Sequence, residues 1–229
     1  MTRETVLARI KAAQAAVADS GGGGSQGGQA PATAELPVLP VPQSFADPAA
    51  LFIERARQLG VGVEIAVSID DAAGRVPAWC RHKSVHRVAV WDTPDLAPIV
   101  ASLRTEGIQI LRPEAPLGEL ATADLGITGA AWGVAETATL VLPSSLAQPR
   151  LTSLLPPIHL AVLSADRILP DLPALFRSPG RLPSALTLIT GPSRSADVGL
   201  TPVLGAHGPM EVMVFLVRNV AAEAASPLA

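Results

Sequence analysis

Apolar positions along the chain switch repeatedly between helical and strand spacing. Val6, Ile10, Ala13 and Val17 recur at intervals of three and four, which predicts a short amphipathic helix within residues 1–19. Residues 20–44 are rich first in Gly and then in Pro, a composition that predicts a flexible and then extended linker. Beyond it, Asp47 precedes Pro48, and Phe52, Ile53, Ala56 and Leu59 share one helical face before Gly60. Val63, Ile65 and Val67 alternate as in a strand, and VHRVAVWD (residues 85–92) reads as another. Thr93 before Pro94 opens a second capped helix, with Leu96, Ile99, Val100 and Leu103 on one face and Gly107 at its end. The runs IQIL, PIHLAVL, ALTLIT and EVMVFLV read as further strands, with a helical segment over residues 169–176.

This alternation predicts an α/β domain over residues 45–218, with a largely parallel sheet and helices on both faces, followed by a frayed tail over residues 219–229. Two stretches are expected to depart from the alternation. Residues 68–84 show no clean period and are expected to form a loop excursion. Residues 134–142 are expected to form a strand that places Val134, Glu136, Ala138, Leu140 and Leu142 on one face.

Charge and composition narrow the class. The formal net charge is −3, which gives no general attraction to a phosphate backbone, so nucleic acid is not an expected partner. Mean hydropathy is positive, but no apolar run approaches the ~18–20 residues of a membrane span. Arg9 and Lys11 interrupt any signal-peptide core, so the expected location is cytoplasmic. A single cysteine, Cys80, excludes an internal disulfide and a cysteine-ligated iron–sulfur cluster within this chain. The α/β region lacks the glycine fingerprint of a dinucleotide site, so no cofactor is expected.

Candidate chemistry falls in three places. The first is DLGITGAAWGVAETATLVL (residues 124–142), where Glu136 stands among apolar and hydroxyl-bearing residues. On the strand expected there it shares a face with apolar side chains, an arrangement that is costly unless hydrogen bonds or a cation compensate. Gly126, Gly129 and Gly133 before it suit a turn and a close backbone approach. The second is ITGPSRSADVG (residues 189–199). Ser193 with its backbone N–H groups and Arg194 suit a carboxylate or phosphate, and Asp197 orients the arginine or the substrate. Its position after a predicted strand fits the rule that ligands gather at strand carboxyl ends. The third is GAHGP, with His207 between glycines. For each, the alternative is structural: a satisfied glutamate at a sheet corner, a surface Arg–Asp turn, or a solvated histidine. Cys80, His82 and His86 form C-x-H-x3-H, three ligands without a fourth, and no metal site is expected.

The motifs GITGAAWGVAETATLVL and ITGPSRSADVGLTPVLGAHGP resemble the LUD (lactate utilisation) family, in its lactate utilization protein C branch, over roughly residues 45–217. Ala138 stands where the family usually has glycine, and Pro202 is a second departure. The resemblance implies an open Rossmann-like mixed sheet with helices on both faces. That fold is similar to those of glucosamine-6-phosphate deaminase, ribose-5-phosphate isomerase and CoA transferases. It also implies a part in oxidising L-lactate to pyruvate with iron–sulfur and oxidoreductase-like partner subunits. It carries over Thr128, Gly129, Glu136 and Thr137 from the first motif, and Gly191, Ser193, Arg194, Asp197, Gly205, His207 and Gly208 from the second.

The expected role is therefore a subunit without redox centres that binds a small anionic metabolite. A different class stays open: a stand-alone isomerase, transferase or ligase acting on phospho-sugars or CoA esters, with Glu136 as base or nucleophile. A third is a sensor or scaffold that binds a metabolite without turnover.

Overall fold

The structure is a computed structural model and describes residues 45–177, 182–196, 202–205 and 207–218. The expected helix over 1–19, the linker over 20–44, the tail over 219–229 and Asp197 lie outside the described residues.

The first helix, α1 (Pro48–Gln58), forms where the capping residues place it. Asp47 accepts a 2.9 Å hydrogen bond from the Ala50 N–H, and Phe52 and Ala56 are fully buried. The chain turns at Gly60 into β1 (Gly62–Ala66). Next comes α2 (Ile69–His82), where a loop was expected. Its start is a reciprocal cap: Ser68 Oγ accepts from the Asp71 N–H at 3.1 Å, and Asp71 Oδ2 accepts from the Val67 N–H at 3.0 Å. Ala72, Ala73, Val76 and Cys80 bury one helical face. Pro77 inside the helix masks this period in the sequence.

Strand β2 (Arg87–Val90) leads through a single 3-10 turn (Pro94–Leu96) into α3 (Ala97–Thr105). Thr93 precedes the turn but makes no capping hydrogen bond, contrary to expectation. Then follow β3 (Gln109–Leu111), the short α4 (Leu117–Leu120) and β4 (Leu125–Ala130). After β4 come β5 (Trp132–Val134), β6 (Thr139–Pro143), the short α5 (Leu151–Leu154) and β7 (Ile158–Ser164). The remaining elements are β8 (Ile168–Leu169), α6 (Leu172–Arg177), β9 (Leu186–Ile189), β10 (Arg194–Ala196), β11 (Pro202–Leu204) and β12 (Glu211–Val217). The helix expected from residue 169 starts three residues later, because Ile168 and Leu169 pair as a strand and Asp171 Oδ1 accepts from the Ala174 N–H.

Six strands form an all-parallel sheet in the order β1-β12-β7-β4-β2-β3, flanked by helices, which is the expected α/β fold. Its central strands read as continuous apolar runs because both faces are covered. A second sheet, β8-β5-β6-β9, holds antiparallel pairings, and β10 and β11 form a separate ribbon. The strand expected over residues 134–142 is instead a hairpin. β5 ends at Val134, residues 135–138 turn, and β6 returns antiparallel with Val134 opposite Thr139. Ala138 makes the turn with φ of 50°, in the left-handed region.

Candidate functional site

The hairpin decides where Glu136 goes. Ala135 and Ala138 point into the core, while Glu136 and Thr137 stand exposed at the tip. The Glu136 N–H donates to the Pro170 carbonyl at 3.1 Å, but its carboxylate forms no hydrogen bond or ion pair with any described residue. The buried acid anticipated from strand alternation is thus a solvent-facing one. The periodicity misleads because a four-residue turn preserves the apparent two-residue rhythm of the flanking strands.

The two motifs do meet, through hydroxyls. Thr137 Oγ1 and Thr139 Oγ1 share a 2.7 Å hydrogen bond, and Thr139 Oγ1 and Thr190 Oγ1 share another at 2.7 Å. This chain runs from the hairpin tip to the residue before Gly191. From there the turn packs on the end of α1, with Gly191 beside Leu59. Arg194 Nη2 donates to the Leu59 carbonyl at 2.7 Å, so the guanidinium closes the carboxyl end of α1. The Ser193 N–H donates to the Pro209 carbonyl at 2.8 Å, and the Gly205 N–H donates to the Ser193 carbonyl at 3.0 Å. The GPSR turn and the GAHGP turn are therefore one unit.

That unit borders a cavity of about 440 Å³ lined by Leu154, Leu155, Pro157, Met210 and the Gly205, His207 and Gly208 turn. It opens at the amino ends of β7 and β12, because Pro157 and Met210 immediately precede those strands. The carboxyl-end rule does not apply to the GPSR turn: the strand before it, β9, belongs to the small sheet and runs antiparallel to β6. His207 is exposed.

Thr128 and Gly129 lie elsewhere, on β4. Thr128 is fully buried, and its Oγ1 lies 2.9 Å from Nε2 of His159 on β7, in a hydrogen bond. The register explains the pair: His159 sits opposite Gly126, and Thr128 follows two residues later on the same face. His159 is completely buried, its Nδ1 has no partner among the described residues, and burial pushes its pKa down to about 4. A Cβ on Gly126 would fall 1.8 Å from the Thr152 carbonyl oxygen, so the backbone of α5 rests directly on this face. A Cβ on Gly129 would approach Asp95 Oδ2 at 3.0 Å.

His159 was missed by the sequence reading, although it is a fully buried titratable residue inside an apolar strand. Cys80 is buried on α2, and burial pushes its thiol up to about 12, whereas His82 and His86 are exposed. Among the described residues no group of three or more His, Cys, Asp or Glu side chains is placed to hold a metal, and no helix is long and apolar enough to cross a membrane.

Residues 49–217 match the family described as LUD domain. The chain belongs to the LUD domain family. Its curated relatives include Lactate utilization protein C of Halalkalibacterium halodurans, 31% identical over 148 residues that make up 59% of this chain and 64% of that protein. Lactate utilization protein C of Deinococcus radiodurans is 35% identical over 53% of this chain and 60% of that protein. This LUD chain therefore spans less than two-thirds of these relatives' own length. A crystal structure of a DUF162 family protein from Deinococcus radiodurans superposes with a TM-score of 0.53 at 28% identity, covering 77% of this chain and 99% of that one. Within this LUD domain, both quoted motifs lie inside the matched span.

Proposed function

We propose that this LUD domain acts as a lactate utilization protein C-type subunit of a cytoplasmic system that oxidises L-lactate to pyruvate. In this reading it binds a small anionic metabolite while iron–sulfur and oxidoreductase-like partner subunits carry the electrons. The observation that carries the reading is the family match over residues 49–217, together with relatives named Lactate utilization protein C. The division of labour follows from chemistry. With Cys80 as its one cysteine, this chain by itself cannot ligate an iron–sulfur cluster through four thiolates. The cavity bordered by His207 offers the metabolite apolar walls, an imidazole and exposed turn backbone.

Two measurements test the proposal: growth on L-lactate of cells lacking this chain, and the partners recovered with the tagged chain from cells grown on L-lactate. Loss of growth with recovery of an iron–sulfur protein is expected. Normal growth without such a partner would refute the assignment.

Exposure of Glu136 favours a second reading, in which the chain turns over a phospho-sugar or CoA ester by itself. The discriminating comparison is purified wild type against Glu136→Gln. Turnover by wild type that the substitution abolishes supports it, and equal rates remove Glu136 from any mechanism.

A further inference from the structure

The connection after β2 marks a reversal in the sheet. From β2 the chain steps outward to β3, then returns across β2 to β4 on the other side. In open parallel sheets, strand carboxyl ends beside such a reversal are where ligands gather, because the adjoining connections diverge and leave a crevice. A cavity of about 200 Å³ lies at these carboxyl ends, on the side of β2 away from β4, between the ends of β2 and β3 and one face of α3. Its apolar part includes Val90 and Ile110, and its polar part is Asp92, Thr93, Arg104 and Arg112.

Three features of that polar part point to an anion. The Arg104 side chain makes no hydrogen bond or ion pair with any described residue. Arg112 reaches only Asp92, at 3.9 Å with both side chains 66% exposed, a loose pair that an incoming anion can displace. Two arginines against one aspartate make the cavity locally positive in a chain of net charge −3. The third feature is Thr93. It occupies the position before the 3-10 turn where a hydroxyl normally caps, yet its Oγ1 caps nothing and is buried without a partner among the described residues. A buried hydroxyl without a partner is uncommon and carries a free-energy cost that a ligand oxygen would relieve.

We propose that this cavity is a binding site for a small oxyanion, a carboxylate or phosphate group held by Arg104 and Arg112 and hydrogen-bonded by Thr93. It shares no residue with the cavity beside His207 or with either sequence motif. The proposal therefore stands independently of the lactate assignment. Paired guanidinium forks suit a planar carboxylate or a phosphate face better than a halide, and the cavity admits only a small molecule.

The test uses the full chain and two probes, inorganic phosphate and L-lactate, followed by titration calorimetry and thermal melting. Binding of at least one probe is expected, and which one binds identifies the source of the oxyanion. Arg104→Gln and Arg112→Gln are each expected to weaken it by roughly tenfold or more, as for a lost charge-assisted hydrogen bond. Arg57→Gln, which removes the same charge from an exposed position on α1, is expected to leave it unchanged. Thr93→Val separates binding from folding: it is expected to weaken binding while the melting temperature of the free protein holds or rises. No binding of either probe, or binding indifferent to both cavity arginines, would overturn the site. So would equal weakening by Arg57→Gln.

Discussion

Acidification should weaken this fold through one residue. His159 is completely buried, and burial lowers its pKa from 6.5 to about 4, so it is neutral in the folded protein at pH 7. The unfolded chain takes up a proton near pH 6.5, whereas the folded chain resists until about pH 4. Between these values the unfolded state binds more protons, and stability falls as pH falls. The contribution is fully present above pH 6.5 and gone by about pH 4. At ~1.4 kcal/mol per pKa unit the loss is about 3 kcal/mol, a large part of the ~5–15 kcal/mol of a typical domain.

Carboxylates titrate at the lower end of this window, so wild type alone is not decisive. The measurement is urea denaturation at several pH values from 7.5 to 4 for wild type and His159→Gln. The glutamine amide can still meet the Thr128 hydroxyl but does not titrate. His159→Gln is expected to be less stable than wild type at pH 7.5 and to lose less stability on acidification, so that the two curves converge. Parallel curves for the two proteins would show that His159 is not the titrating group.

Three other perturbations probe the packing. Gly126→Ala places a methyl group 1.8 Å from the Thr152 carbonyl oxygen, so α5 must lift from β4; a loss of about 3 kcal/mol or failure to fold is expected by urea denaturation, and wild-type stability would contradict that contact. Ala138→Gly removes the left-handed penalty at φ of 50°, worth ~1–2 kcal/mol, against the ~0.5–1 kcal/mol entropic cost of glycine in the unfolded chain. A net gain of about 0.5 kcal/mol in thermal melting is expected, and a loss would refute the strain argument. Cys80, with its thiol pushed up to about 12 by burial, should not react with a thiol-specific disulfide reagent at pH 8 until the protein is denatured; rapid reaction of the native protein would place it at the surface.

Local signals carried most of the fold. Asp47–Pro48 and Gly60 bound α1 as their chemistry requires, and the apolar runs over residues 158–163 and 211–217 became central strands of the parallel sheet. Failures came where one residue disguised a pattern. Pro77 hid α2, although Ser68 and Asp71 form a reciprocal cap at its start and Ala72, Val76 and Cys80 keep helical spacing. Ala138 hid the hairpin, because alanine does not advertise a left-handed turn as glycine would. Strand alternation assigned Glu136 to a strand it does not occupy and passed over His159, which is buried in one. The cavity holding Arg104 and Arg112 had no local signature. It arises only when β2 and β3 lie side by side, with α3 against them.

The motif residues divide by whether the fold has already used their chemistry. Thr128 is spent on His159, Thr137 and Thr139 tie the hairpin to Thr190, and Arg194 closes α1 at Leu59. The first contact fastens β4 to β7 inside the parallel sheet, the second fastens the hairpin to the end of β9 inside the smaller sheet, and the third fastens the GPSR turn to α1. A sequence signature can therefore be dense because the fold itself uses these hydroxyls and this guanidinium, without each member touching a ligand. Glu136 and His207 are different: both are exposed, and neither side chain forms a hydrogen bond or ion pair with a described residue. Were the motifs to meet a ligand, this pair could engage it without first breaking an existing bond, whereas a group already bonded must break that bond at a cost of about 1 kcal/mol or more.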